Sequence, residues 1–382
     1  MNLSLSISPL RFQRIAVSIY FFIAGLTFAS WACRIPDIKN KLHLSDAGLG
    51  SVLLSLPVGL MASLPLSGWL VGKFGSRKVL SIASVAYPVV LLLIGLAQTT
   101  FTTVIALFFF GMFANLFNIA VNTQGVGVEL QYQRSIMASF HGVWSLAGFA
   151  GALIGTLMIS LQINTLYHFI TISILCILLG FIAYKHTLKQ DSSKKNQPIF
   201  AMPDKGLLLL GLIAFSCLVC EGTMFDWSGV YFEKVIEVPN IYITLGYSAF
   251  MFTMASGRFV GDWLTTKLGG KLMLQMSGVL VATGLMLAVI FPNIIVATFG
   301  FLLVGLGVST VVPLVYSAAG KSSTMTPGAA LAAVSTIGFV GFLFGPPVIG
   351  FIAQASNLRW SFTFIAVLGF SITLLAAKTT IK

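Results

Sequence analysis

Two acidic residues sit where acids are rare. Glu221 and Asp226 lie within Gly206–Tyr231, a stretch otherwise apolar enough, and long enough, to cross a bilayer, which takes about 20 residues. A charge near mid-membrane costs at least ~2.5 kcal/mol on insertion scales, so a chain keeps it where it meets a wet cavity or a partner. Glu221 is therefore read as a group that carries a proton across. His141, near the start of an earlier apolar run, is a second relay candidate, with a hydrogen-bonded structural histidine as the other reading. Arg34 is the one arginine at the far end of the first apolar run, and it is expected to pair with Asp226 or Glu221 or to reach outward to water. Asp226 itself is either part of a solute site or a cap near the water interface.

Other residues could recognise a solute. Asn115, Asn118 and Asn122 are three and four apart inside one apolar run, so on a helix they form a polar stripe. Lipid offers no hydrogen bonds, so that stripe must face protein or water. It reads equally as a surface for sugar-like hydroxyls or as interhelical bonding. Trp31 and Trp227 are either rings that stack on a cyclic solute or members of an interfacial aromatic belt. The spacing of Arg258 and Asp262 puts them on one helix face. Together with Glu129, Arg134, Lys73 and Arg77, they are expected to form gate contacts at one membrane face.

The elements that hold these residues are long apolar helices. The chain of 382 residues is 57% hydrophobic and 8% charged, a composition of helical membrane proteins rather than soluble domains. Alternating β-barrel segments are absent. Twelve spans are expected, near 12–34, 47–72, 78–98, 102–127, 136–160, 165–184, 206–231, 243–266, 272–291, 294–318, 328–352 and 359–377. The first has basic residues before it but runs past signal length, so it is expected to stay as an uncleaved helix. The Lys-rich segment 185–205 reads as a cytoplasmic linker between two six-helix bundles, 1–184 and 206–382.

Of the 22 Lys and Arg, sixteen fall on the side of the N-terminus, five on the other and one, Arg258, within a span. By the positive-inside rule, both termini are cytoplasmic. That asymmetry accounts for the net charge of +12 without nucleic acid. The four cysteines all lie in or beside apolar runs, and Cys217-x-x-Cys220 is read as packing rather than redox chemistry. Four scattered histidines and the absence of G-x-x-x-x-G-K-[ST] leave no metal, cofactor or enzymatic site to expect.

The chain also repeats itself. At an offset of 194, Trp69, Leu70, Lys73, Gly75 and Arg77 match Trp263, Leu264, Lys267, Gly269 and Lys271. Ser30-Trp31 falls on Asp226-Trp227 at 196, and Gly155 on Gly350 at 195. Parallel duplicated halves with a site at their interface are a common transporter plan.

On these residues the chain resembles the major facilitator superfamily over essentially its whole length. Gly68-x-x-x-Gly72-Lys73-x-Gly75-x-Arg77-Lys78 looks like that family's loop signature between helices 2 and 3, with Gly72 and Thr266 where an Asp is usual. Ala29–Pro36, Phe140-His141-Gly142, the Glu221–Tyr231 string and Gly257-Arg258-Phe-x-Gly261-Asp262 resemble the branch of bacterial inner-membrane permeases of the YbjJ type, related to fucose permease. Gly341-x-x-x-Gly345-Pro346 is similar to an antiporter signature, but it lies in span 11 rather than span 5, so it does not imply export.

The resemblance implies an all-α fold whose spans 1, 4, 7 and 10 line a central cavity. With the embedded acid and the asparagine stripe, the chain is expected to be a monomeric secondary transporter of a small polar, possibly sugar-like solute, proton-coupled and working by alternating access in the bacterial inner membrane. Proton-linked export of amphipathic compounds is the first alternative. A membrane sensor or assembly factor that moves nothing is the second.

Overall fold

The structure is a computed structural model that describes residues 9–132, 136–189, 204–320, 322, 325 and 327–379, without the side chains of 9, 138, 262, 327–329, 331 and 332. The described residues form fifteen α-helices. These are α1 (Pro9–Ala32), α2 (Ile35–Lys41), α3 (Asp46–Leu53), α4 (Ser55–Phe74), α5 (Ser76–Leu96), α6 (Thr100–Tyr132), α7 (Met137–Ser160) and α8 (Thr165–Tyr184) in the first half. The second half holds α9 (Lys205–Lys234), α10 (Leu245–Leu268), α11 (Gly270–Ile290), α12 (Ile294–Ser309), α13 (Val311–Ala319), α14 (Pro327–Ala355) and α15 (Leu358–Ala377).

Among the described residues, eleven helical segments are long and apolar enough to cross a membrane. The 24-residue α10 has the length but carries Arg258, Asp262 and Lys267. The all-helical, membrane-spanning fold class is as expected. Three spans are interrupted. The first turns at Cys33–Arg34 and resumes as α2, so it runs to Lys41 rather than ending near residue 34. Pro36 sits in the first turn of α2, where a missing N–H leaves no bond unmade. The second span breaks at Leu54 and the tenth at Thr310.

Helix starts follow the side chains that can cap them. Ser45, Asn164, Asp204, Asn293 and Asn357 each accept a hydrogen bond from a backbone N–H in the first turn of α3, α8, α9, α12 and α15, the usual role of an N-cap. Gly75 (φ 83°, ψ 146°) and Gly269 (φ 82°, ψ 151°) lead into α5 and α11, a backbone conformation open to glycine and strained for residues with a Cβ.

The described residues cluster into two compact units. The first comprises Met1–Trp31, Ser55–Gly151 and Ile163–Lys194, and the second Ala32–Leu54, Ala152–Gln162 and Lys195–Lys382, as far as their residues are described. In the first unit α6 packs against α4 and α5, and α5 against α8. Asn115 of α6 donates to Ser63 Oγ (3.0 Å) and Ser67 Oγ (3.1 Å) of α4. In the second unit α9 is the central element, enclosed by α10, α13, α14 and α15. Its Tyr231 and Phe232 pack with Phe301 and Phe362. The short α2 and α3, from the first half of the sequence, lie in this unit against α9 and α14.

Candidate functional site

Glu221 lies sixteen residues past Lys205 in the 30-residue α9, or roughly 24 Å along it at 1.5 Å per residue. That is the middle of a crossing. Its neighbour Gly222 leaves room for α14: a Cβ there would lie 3.0 Å from Phe342. Facing Glu221 is Arg258, thirteen residues past Leu245 and so also midway along its helix, α10. Arg258 Nη2 donates to Glu221 Oε1 at 3.5 Å, and the two side chains are 16% and 7% exposed. The glycines flanking Arg258 seat its helix. A Cβ at Gly257 would collide with Ser309 Oγ, and one at Gly261 would lie 2.6 Å from Thr310 Cγ2. Thus α10 lies close against the break between α12 and α13, with Arg258 turned toward α9.

A buried ion pair stays formed only where geometry offsets the loss of water. This one is at the long end of hydrogen-bond reach, so the charges are held loosely. A proton on Glu221 would remove one charge of the pair and weaken the tie.

Arg258 is thus joined to Glu221. Its expected neighbour Asp262 is on the same helix, with its side chain outside the described residues. Arg34, expected opposite Glu221 or Asp226, instead donates to Asp37 Oδ2 at 2.5 Å. Asp226 is half-buried and makes no hydrogen bond or ion pair among the described residues. It is five residues beyond Glu221, about 140° around the helix, so the two acids point to different faces.

The indoles of Trp31 and Trp227 are 1% and 0% exposed, and neither N–H meets an acceptor among the described residues. Both are enclosed by protein. The asparagine stripe divides: Asn115 is buried on its serines, whereas Asn118 is exposed and accepts from half-buried Asn122. His141 is exposed on the first turns of α7, edge-on to Phe21 at 5.1 Å.

Glu129 accepts from the N–H groups of Ile136 (2.7 Å) and Met137 (2.8 Å), holding the start of α7. Lys73 lies over the ring of Trp69 at 4.6 Å. Arg77 lies over Tyr184 and donates to its carbonyl at 3.3 Å. Arg134 lies outside the described residues. The four cysteines are buried free thiols; Cys217 and Cys220 face the carbonyls of Val308 and Ile365. No cluster suited to a metal ion occurs among the described residues.

The repeat recurs in local structure. Lys267 lies over Trp263 at 4.1 Å, as Lys73 does over Trp69. Lys271 donates to the Thr379 carbonyl at 3.3 Å, just past α15, and Arg77 to the carbonyl of Tyr184, the last residue of α8.

Sequence reading passed over one group. Lys39, Asp46 and Lys234 form an ion triad, and Asn40 Nδ2 donates to Glu233 Oε1 at 2.6 Å. The lysines entered the sequence reading only as topology charges. A signal was there: Asp46 is an acid within a few residues of Lys39 and Lys41 in a short interhelical segment.

The lipid-length helices define a multi-pass membrane protein, and its relatives make it a transporter rather than an enzyme. The Major Facilitator Superfamily model matches residues 17–326, and the chain belongs to that superfamily. An uncharacterized MFS-type transporter of Yersinia pestis is 35% identical over 363 residues, 95% of this chain and 94% of that protein. An uncharacterized transporter of Sinorhizobium fredii is 31% identical over 360 residues, 93% of this chain and 95% of that protein. Among solved structures, a mutant of the nucleoside transporter NupG matches with a TM-score of 0.76 at 13% identity, over 95% of this chain and 99% of its own, a likeness of fold.

Proposed function

We propose that this chain is a proton-coupled secondary transporter of a small polar solute. In this reading it belongs to the YbjJ-type branch related to fucose permease, works as a monomer and rocks two six-helix halves, 1–184 and 206–382, about the linker 185–205. The inner-membrane location and cytoplasmic termini are part of the same reading.

The observation that carries it is the Glu221–Arg258 pair, buried midway along two crossing helices. With Glu221 ionised, the pair ties α9 to α10. With Glu221 protonated, the tie weakens. A ligand or proton shifts a two-state equilibrium only through unequal affinity for the states, and Glu221 supplies that inequality. Asp226 and Asn118 keep accessible surface and are the solute contacts we favour. Trp31, Trp227 and Arg34 would contact solute only in a state that uncovers them.

The test has two stages. A thermal-shift screen against sugars, nucleosides and amphipathic amines finds a binder, because binding to the folded form raises the melting point. Accumulation of that binder is then followed in proteoliposomes under an imposed pH gradient. Wild type should accumulate it, and Glu221→Gln should lose gradient-driven accumulation while keeping exchange. Undiminished accumulation by Glu221→Gln would overturn the coupling role. Net efflux of an amphipathic amine would favour export.

A further inference from the structure

We infer that the hydroxyl of Tyr316 is the group through which Glu221 exchanges its proton with water, on the side of the molecule where α13 ends and α14 begins. The inference deepens the proton-coupling reading above and rests on it.

All the groups involved lie in the second compact unit. Pro313 has no N–H to offer the Ser309 carbonyl four residues back, and the tenth span breaks at Thr310 and restarts at Val311 as α13. Gly257 and Gly261 seat α10 on this break, which brings Arg258 beside it. The α9 helix turns one face to the same place. Cys217 Sγ meets the Val308 carbonyl at 3.8 Å, and Glu221, four residues on, shares that face.

The α13 helix packs on both α9 and α14. Its Val311, Val315 and Ala319 are buried, whereas Tyr316 is half-buried. A helical side chain leans toward the N-terminus of its own helix, which carries the Tyr316 ring back toward the break and Glu221. Its hydroxyl shares a hydrogen bond with half-buried Ser335 of α14 and has Glu221 and Cys217 as electrostatic neighbours.

Chemistry selects Tyr316 from this set. Glu221 is nearly enclosed, so its proton needs a carrier to reach water. The Arg258 guanidinium stays protonated and has no acceptor site, so it cannot pass a proton on. Cys217 is fully buried and already engaged with a carbonyl. A phenolic hydroxyl both accepts and donates, and this one keeps accessible surface. In the step, the Glu221 O–H bond breaks and its proton goes to the phenolic oxygen, directly or across one water. The phenolic proton moves at the same time to Ser335 Oγ or to water, and from there to bulk. Tyr316 ends neutral, as it began, and one proton has moved from carboxyl to water. The reverse order reloads Glu221.

The test uses the full chain in lipid nanodiscs and needs no solute. Infrared difference spectroscopy identifies the carbonyl stretch of protonated Glu221 as the band that Glu221→Gln removes. Its shift after transfer to heavy water times the exchange of that proton. Tyr316→Phe keeps the ring, so the melting point should hold. Exchange should slow by about a hundredfold, the lower end of what a positioned proton-transfer group contributes, and the band should move because the neighbouring hydroxyl is gone. Cys217→Ala, on the same face but offering no hydroxyl, should leave both unchanged. Undiminished exchange in Tyr316→Phe would overturn the inference and leave Glu221 as the coupling acid. Equal slowing by Cys217→Ala would trace the effect to loosened packing and overturn it too. If Glu221→Gln removes no band, Glu221 holds no proton, and the coupling reading falls together with the inference.

Discussion

At the scale of residues, the pairing of Glu221 with Arg258 is the most consequential contact, and its energetics are asymmetric. Removing one charge of such a pair costs far more than replacing both together. Arg258→Leu should lower stability by roughly 3 kcal/mol, read as a fall in the thermal midpoint in detergent. Arg258→Leu with Glu221→Leu should recover most of that loss. If the double variant is as unstable as the sum of the singles, the two residues are not coupled. Glu221 was legible in the sequence because a carboxylate in an apolar run has few explanations. Its partner was not, because Arg258 lies 37 residues away and Asp262, four residues along the same helix, offered itself first. The asparagines make the same point. Spacing put all three on one stripe, but Ser63 and Ser67 of α4 decided which one became interhelical bonding.

At the scale of elements, glycines decide how close helices come, and they are not alike. Gly68 and Gly72 have open space where a Cβ would be, while Gly257 and Gly261 press on Ser309 and Thr310. Gly72→Ala should therefore leave the melting point nearly unchanged. Gly257→Val should force α10 off the α12–α13 break, displace Arg258 and lower the melting point by several degrees, the effect of roughly 1–3 kcal/mol of overpacking. Equal effects from the two would refute this assignment of close contacts. The sequence showed these glycines only as letters. Gly68-x-x-x-Gly72 and Gly257-x-x-x-Gly261 have the same spacing, and only the neighbouring helix sets them apart. Helix ends were more legible, because Ser, Asn and Asp caps act within three residues of their own position.

At the scale of the whole molecule, the duplication matters most. Trp69–Lys73 and Trp263–Lys267 make the same ring–ammonium contact, and Arg77 and Lys271 each tie the start of one helix to the end of the last helix of its half. We propose that these ends face the cytoplasm, where cations favour the anionic leaflet. A green fluorescent protein fused to the C-terminus should then fluoresce, and alkaline phosphatase fused there should be inactive. The opposite result would invert the proposed orientation.

Hydropathy alone determined that the chain is a bundle of membrane-crossing helices, because burying backbone in lipid leaves no other choice for such runs. The repeat, the glycine-led turns and the stranded acid were likewise local facts, written within a few residues of one another. Tertiary structure alone decided who meets whom: that Arg258 answers Glu221, that Arg34 turns to Asp37, and that Lys39 and Lys234 share Asp46. Charges in a low-dielectric interior pair by distance in space, and distance in space is what a one-dimensional chain does not record.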